Sequence, residues 1–300
     1  MAELVPAGAW DTHIHVFDPD RFPYAAERSY TPKAAPISEY PVQIVGCRKI
    51  VIVQASIQGN SAAPLIDVLK KQHTECLNLT LRGLATLDLS KITDAELDAL
   101  HDAGVRGVRF HKMAWGHGAQ DVGMAILEDI EAAAKRLARI GWIIDIFCPL
   151  AAWAAMAEGL RNLDSRIRIV ADHLGGSFPG DDESDNFQVL LQLVREKRIF
   201  VKLSAFERLY HGHAAGMNAL EPIVKAIVDA GPDQVLFGTD WPHTGLGASR
   251  KGKSDERRLN EVEGFRDLSV GEHVRKLREW TPDDGTWVKL FVSNAERLFN

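Results

Sequence analysis

Residues 124–147 read MAILEDIEAAAKRLARIGWIIDIF and contain the unit whose repetition predicts the fold. The first half has apolar residues at helical spacing among good helix formers, and Gly141 stands where a helix C-terminus favours glycine. The second half, WIIDIF, is a short apolar run rich in β-branched residues, which is typical of a strand buried on both faces. This stretch therefore predicts a helix followed by a buried parallel strand.

Runs like WIIDIF recur along the whole chain of 300 residues. The eight runs are AWDTHIHVF (9–17), KIVIVQA (49–55), LRGLATLDL (81–89), VRGVRFH (105–111), WIIDIF (142–147), IRIVADH (167–173), IFVKLSA (199–205) and QVLFGTD (234–240). Helical stretches between most of them favour parallel pairing, so we predict an α/β protein, a (β/α)8 TIM barrel in a single domain over residues 1–300. A doubly wound open sheet is the alternative, but no run is followed by a G-x-G-x-x-G turn.

The composition narrows the classes of partner. The chain is 46% hydrophobic and 25% charged with a net charge of −6, which excludes a basic surface for nucleic acid or an anionic membrane. The sequence has no apolar run long enough to span a membrane and no secretory signal pattern, and its cysteines, Cys47, Cys76 and Cys148, form no disulfide framework. We therefore expect a cytoplasmic protein that acts on a small molecule, and a homo-oligomer is compatible with these features.

Two segments interrupt the alternation of strands and helices, residues 18–46 after the first predicted strand and residues 241–269 after the eighth. Insertions at the C-terminal ends of barrel strands lie over the active-site mouth. The first insertion offers side chains that could contact a substrate: Tyr24, Arg28, Tyr30 and Lys33. A solvated cover without chemistry is the alternative for both segments.

The first predicted strand ends in a pair of histidines, His13 and His15. Side chains two residues apart on a strand share a face, so both rings should point into the barrel. Other strand ends bring polar residues to the same mouth: Arg109, His111, Asp172, His173 and Asp240. Histidines and a carboxylate in one partly dry cavity suit either a divalent metal site or general acid–base chemistry, and the residues alone leave both uses open.

The motifs DTHIHVFD, VRFH, ADHLGG and GTDWPH resemble, in order and spacing, those of the amidohydrolase superfamily. The likeness runs from Trp10 almost to the C-terminus and concerns the branch that contains 2-pyrone-4,6-dicarboxylate lactonase and sulfomuconolactone hydrolases. It implies four catalytic positions, which would also ligate a metal: His13, His15, His173 and Asp240. It also implies substrate contacts at Arg109, Arg208 and Tyr30. We predict three further contacts from their expected position near the mouth of the barrel: His111, Trp115 and His243.

The chain departs from the superfamily pattern at two places. Members with two metals carry a bridging Lys or Glu on the fourth strand and a His on the fifth, whereas Arg109 and Asp145 lie on those strands here. The resemblance therefore implies no binuclear centre, and either no cofactor or one divalent metal, with zinc as the first candidate. Two arginines that hold the dicarboxylate in the pyrone lactonase align with Trp115 and Gly176, so we expect a different substrate.

These residues and the resemblance predict a hydrolase that opens a carboxylated lactone in aromatic or sugar-acid catabolism. Asp240 would act as general base on water while His13, His15 and His173 polarise the carbonyl, directly or through one zinc ion. A metal-dependent decarboxylase and a lactone isomerase are the alternatives within the superfamily. A barrel that binds an anionic metabolite without converting it is the alternative outside enzymes.

Overall fold

The structure, a computed structural model, describes residues 4–74, 78–112, 119–250 and 252–300. Within these ranges, eight strands form one parallel sheet: β1 (Trp10–Ile14), β2 (Lys49–Val53), β3 (Thr80–Ala85), β4 (Val105–His111), β5 (Ile143–Phe147), β6 (Arg168–Ala171), β7 (Ile199–Leu203) and β8 (Val235–Phe237). Each strand pairs with the next one along the chain. The predicted (β/α)8 barrel is confirmed.

The barrel closes where the chain leaves β8. The Asp240 N–H donates to the His13 carbonyl at 2.9 Å, and the His15 N–H donates to the Trp241 carbonyl at 2.7 Å. These bonds, with the parallel bridge between Ile14 and Trp241, lay the end of β8 beside the end of β1. The closure therefore brings the histidine pair next to Asp240.

Helices surround the barrel and connect its strands. The longer ones are Ala63–Thr74, Asp94–Asp102, Ala119–Ile140, Leu150–Asn162, Asp185–Arg195, Glu221–Ala230 and Val270–Trp280. Shorter ones are Val42–Val45, Phe206–Tyr210, Asp255–Asn260, Asp284–Val288 and Asn294–Phe299. The predicted stop at Gly141 is confirmed, since this glycine follows Ile140 with a left-handed φ of 68°. Among the residues that the structure describes, no helix is both long enough and apolar enough to cross a membrane.

The interior of the barrel is apolar at one end and polar at the other. Buried side chains that include Trp10, Val51 and Leu236 fill the N-terminal end, where the last helix packs its Phe299 ring 5.9 Å from the Trp10 ring. Burial of such apolar surface is the main stabilising contribution to the fold. The C-terminal end instead holds buried charged and polar side chains, which are described below.

The two insertions form one cover. Strand residues Thr31–Pro32 pair in parallel with Val262–Glu263, and the Arg28 guanidinium donates to the Leu259 carbonyl at 2.8 Å. The Lys33 ammonium lies 4.9 Å from the centre of the Phe265 ring. Arg28 and Lys33, two of the predicted substrate contacts in this segment, thus hold the insertions together.

Candidate active site

His13, His15 and Asp240 meet at the C-terminal mouth of the barrel. Asp240 Oδ1 lies 3.4 Å from His15 Nε2 and 3.8 Å from His13 Nε2. His15 Nδ1 lies 2.7 Å from the Val53 carbonyl oxygen, to which it can only donate a hydrogen. In the neutral ring His15 Nε2 is therefore an acceptor that faces a second acceptor on Asp240, and such a pair suits a water molecule or a cation.

Asp240 stays ionised although it is buried. Burial alone would raise its pKa, but the Arg208 guanidinium, 3.2 Å from Oδ2, holds the pKa of Asp240 well below its usual range. The backbone of Asp240 has a left-handed φ of 61°, a strained conformation that is common at functional sites. Hydrogen bonds to His13 and His243 on either side stabilise this turn.

Asp11 fixes the residue that precedes Asp240. Its carboxylate accepts from the Thr239 N–H at 2.9 Å, from the Thr239 hydroxyl at 2.6 Å and from the Tyr40 hydroxyl at 2.9 Å. Burial raises the pKa of Asp11 to about 6, while these bonds act in the opposite direction. Asp11 is thus a structural group that joins β1 to the turn after β8.

His173 follows β6 and completes the cluster of histidines. Its ring centre lies 4.7 Å from that of His13, and its Nδ1 lies 2.8 Å from the Ser204 hydroxyl at the end of β7. Burial lowers the pKa of His173 to about 4 and holds the pKa of His13 well below its usual value, so both rings are neutral near pH 7. The structure thus brings together all four residues predicted to be catalytic.

A buried ion cluster lies against His13. The Lys202 ammonium on β7 lies 2.6 Å from Asp145 Oδ1, 2.9 Å from Asp172 Oδ1 and 3.1 Å from His13 Nδ1, and Lys202 is fully buried. Burial would raise the pKa of Asp172, but the Lys202 ammonium holds it well below its usual range. Burial of Asp145 raises its own pKa, and the negative charge of the nearby Asp172 acts in the same direction.

The sequence analysis did not assign a role to Lys202 or Asp145. A signal for them existed, since each interrupts an apolar strand, IFVKLSA and WIIDIF respectively. A charge inside a strand buried on both faces is stable only when a partner compensates it. Two such interruptions of opposite sign on nearby strands therefore predict an ion pair inside the barrel.

Arg109 lies in the same cluster. Its Nη2 is 3.4 Å from Asp172 Oδ2, its Nη1 donates to the Gln54 carbonyl at 3.3 Å, and its Nε is 4.0 Å from Asp145 Oδ2. The Nε itself has no hydrogen-bond partner among the described residues. Of the two sequence interpretations, a structural carboxylate and an anionic substrate, the structure thus shows the first.

Arg208 and Tyr30 lie at the rim. The side chain of Arg208 is 22% exposed, and besides Asp240 it contacts the Thr244 carbonyl at 3.3 Å and the Gly245 carbonyl at 3.5 Å. The half-buried Tyr30 ring stacks on the Arg250 guanidinium, 3.6 Å away, and Arg250 donates to the same Gly245 carbonyl at 2.9 Å. Tyr30 is therefore linked to Arg208 through Arg250 and one backbone carbonyl.

The other predicted contacts differ in their placement. His243 is buried beside Asp240, and its Nδ1 has no partner within the part of the chain that the structure describes. His111 is exposed at the end of β4, with its ring centre 5.3 Å from that of Phe147. Trp115 lies outside the described residues, so its predicted contact stays a prediction.

A cavity of about 590 Å³ opens beside the ends of β2, β3 and β4. Its charged lining residues are Asp88, Arg109, Lys112, Asp129 and Arg136. This volume lies within the range of pockets for small ligands. Because Arg109 also belongs to the ion cluster, the cavity adjoins the polar end of the barrel.

Gly176 has no room for a side chain. Its φ is +78°, and a Cβ atom would lie 2.4 Å from the Cys148 carbonyl oxygen. An arginine that aligns with this position would thus require a different path of the backbone. The lack of a cation here is fixed by the backbone of this loop and not by the side chain alone.

Two groups of donor atoms could hold a metal, His13 with His15 and Asp240, and His13 with Asp172 and His173. The first group fits one divalent cation, because the acceptors His15 Nε2 and Asp240 Oδ1 converge and imidazole and carboxylate are typical zinc ligands. The second group does not fit, since the Lys202 ammonium already contacts two of its members. The described residues therefore suit one metal ion rather than two.

A parallel barrel with an H-x-H pair at the end of β1 and a carboxylate after β8 defines the class of metal-assisted or acid–base barrel hydrolases. A family model described as Amidohydrolase matches residues 10–300, and the chain belongs to this family.

The chain is similar to enzymes named as lactone hydrolases. It is 34% identical to a 2-pyrone-4,6-dicarboxylate hydrolase of Comamonas testosteroni, over 81% of this chain and 79% of the relative. It is 30% identical to a 4-sulfomuconolactone hydrolase of Rhizobium radiobacter, over 98% and 91%. A solved structure from Acinetobacter baumannii, a probable 2-pyrone-4,6-dicarboxylic acid hydrolase with citric acid bound, has a TM-score of 0.73 at 20% identity and covers 97% of this chain and 99% of its own. That last likeness concerns the fold.

Proposed function

We propose that the protein is a hydrolase that opens a lactone ring bearing at least one carboxylate. The observation that carries the proposal is the position of Asp240 Oδ1, 3.4 Å from His15 Nε2. A water molecule can donate one hydrogen bond to the carboxylate and the other to the imidazole, which orients it for attack. The names of the two relatives, both hydrolases of acidic lactones, support the same reaction.

In the proposed reaction Asp240 takes a proton from this water while the water oxygen attacks the lactone carbonyl carbon. The other two imidazoles, those of His13 and His173, polarise the carbonyl and stabilise the oxyanion of the tetrahedral intermediate. When the ring C–O bond breaks, the leaving oxygen takes the proton from Asp240. The elements of water are then divided between a new carboxyl group and a new hydroxyl group, and Asp240 is an anion again.

His13, His15 and Asp240 would hold the one divalent cation that the first donor group fits. When bound, zinc would supply Lewis-acid polarisation of the carbonyl. With or without the metal, Asp240 accepts the proton of the water, and Arg208 keeps the Asp240 carboxylate ionised.

Two arginines would bind the carboxylate of the substrate. Arg208 is partly exposed at the rim, and Arg109 lines the cavity beside the polar end of the barrel. A guanidinium recognises a carboxylate through paired, charge-assisted hydrogen bonds. Tyr30, His111 and His243 are the further contacts of this proposal. The proposal also includes a cytoplasmic location and a role in aromatic or sugar-acid catabolism, and a homo-oligomer is compatible with it.

The test compares Arg208→Met with the wild type on a carboxylated lactone and on its neutral methyl ester. We expect the preference for the acid, measured as the ratio of kcat/KM values, to fall roughly ten-fold to a few hundred-fold, since a charge-assisted pair contributes about 1.5–3 kcal/mol. Arg82→Met is the matched control, because Arg82 bonds to the Phe299 carbonyl at the opposite end of the barrel. An equal loss on both substrates would mean that Arg208 only supports Asp240.

A further inference from the structure

Lys202 has no task in the mechanism above, although its environment is highly ordered. The ammonium carries three hydrogens and meets three acceptors, Asp145 Oδ1 at 2.6 Å, Asp172 Oδ1 at 2.9 Å and His13 Nδ1 at 3.1 Å. The side chain is fully buried, so no water completes this set. Each of the three contacts therefore matters for the stability of the buried charge.

The contact with His13 has a consequence for its ring. An ammonium only donates, so the nitrogen that it contacts must offer a lone pair. The opposite arrangement, with a hydrogen on Nδ1 that donates to Asp172 Oδ1 at 3.1 Å, would point that hydrogen toward a cation and leave one Lys202 hydrogen without an acceptor. Asp172 does not need this donor, because Lys202 contacts one of its oxygens and Arg109 the other.

We propose that Lys202 is a positioning residue that keeps the hydrogen of the neutral His13 ring on Nε2. In that form, Nε2 is a buried hydrogen-bond donor that lies 3.8 Å from Asp240 Oδ1 and has no hydrogen-bond partner among the residues that the structure describes. It would donate to the carbonyl oxygen of the bound lactone, an assignment that rests on the proposed function.

The two histidines of the H-x-H pair then have opposite tasks. His15 donates from Nδ1 to the Val53 carbonyl at 2.7 Å and accepts at Nε2, which suits the attacking water. His13 accepts at Nδ1 from Lys202 and donates at Nε2, which suits the carbonyl. The difference comes from one backbone oxygen on β2 and one ammonium on β7. This assignment concerns the chain without a metal, since a metal bound at His13 Nε2 would need the lone pair of that nitrogen.

The test is nuclear magnetic resonance of the full chain labelled with ¹⁵N-histidine, after dialysis against a chelator and without substrate. Two-bond ¹H–¹⁵N correlations identify which ring nitrogen carries the hydrogen, and the His13 signals are those that His13→Gln removes. We expect the hydrogen on Nε2 in the wild type. A hydrogen on Nδ1 would overturn the proposal, and this result needs no variant of Lys202.

The variant Lys202→Met combined with Asp145→Asn removes one positive and one negative charge, so the net charge of the cluster is preserved. We expect the His13 hydrogen to move to Nδ1, where Asp172 accepts it. Lys49→Met is the control, since Lys49 pairs with Glu296 at the other end of the barrel, and it should leave the His13 signals unchanged. An unchanged His13 tautomer in the folded double variant would overturn the proposal. Because the readout needs no turnover, a chain with the expected tautomer and no lactonase activity would refute only the proposed function.

Discussion

The substitution Asp240→Asn removes the general base while it retains the size of the side chain. In the wild type, Asp240 Oδ2 lies 3.2 Å from Arg208 Nη2 and Oδ1 lies 3.4 Å from His15 Nε2. The amide oxygen of asparagine can still accept from Arg208, but it cannot take a proton from water near neutral pH. We therefore expect a folded protein that binds substrate and does not turn it over efficiently.

The expected loss in kcat is roughly 10²- to 10⁴-fold, which is the contribution of a positioned general base. This corresponds to about 3 to 5 kcal/mol in the activation barrier. The effect on folding should be smaller, about 1 to 2 kcal/mol, because only a charge-assisted hydrogen bond becomes a neutral one. Arg208 is 22% exposed and regains part of this loss from water.

Initial rates of acid release on a carboxylated lactone measure the catalytic effect, and urea unfolding measures the stability. Asp164→Asn is the matched control, since Asp164 binds the exposed Arg166 before β6 and should leave kcat unchanged. A decrease of less than about ten-fold in the folded variant would refute the general-base role, because it lies below the scale of such catalysis.

Gly176 and His273 provide three further tests. Because Gly176 admits no cation, we expect a monocarboxylated lactone to have a higher kcat/KM than pyrone dicarboxylate, in side-by-side assays. Gly176→Ala should destabilise the fold by more than Gly180→Ala in urea unfolding. Both glycines have a positive φ, but only at Gly176 would the added Cβ atom lie 2.4 Å from a backbone oxygen. Burial lowers the pKa of His273 from 6.5 to about 4, so the native state binds fewer protons than the unfolded state in this range. The free energy of unfolding should therefore be unaffected by His273 above pH 6.5 and should fall by up to about 3 kcal/mol between pH 6.5 and pH 4. His273→Gln should show a smaller fall over this range.

The sequence predicted the barrel because each buried strand is a short apolar run with its own helix. However, the lengths of some predicted strands were too great. The run LRGLATLDL extends to residue 89, whereas β3 ends at Ala85 and the following residues line the cavity. Apolar composition does not distinguish a strand from the loop that continues it, since the difference lies in hydrogen bonds to neighbouring strands.

Some features of the candidate site could likewise be predicted from the sequence, and others required the three-dimensional structure. The shared face of His13 and His15 follows from the two-residue period of a strand, and their proximity to Asp240 follows from closure of the barrel. Lys202 on β7 contacts Asp145 on β5, two strands away, and Asp172 at the end of the adjacent β6. Which carboxylates the ammonium contacts depends on the stagger between the strands, which local sequence does not encode. The choice between substrate and structural carboxylate for Arg109 likewise required the positions of β5 and β6.

The most direct test of the lactonase proposal offers the purified chain a panel of carboxylated lactones and, in parallel, aromatic carboxylic acids. Acid release is recorded at constant pH, released carbon dioxide is trapped, and the water is enriched in ¹⁸O. We expect one equivalent of acid for each ring opened, one ¹⁸O atom in the new carboxyl group and no carbon dioxide. Carbon dioxide from the aromatic acids without opening of any lactone would contradict the account and favour a decarboxylase, and binding without either reaction would favour a metabolite-binding barrel.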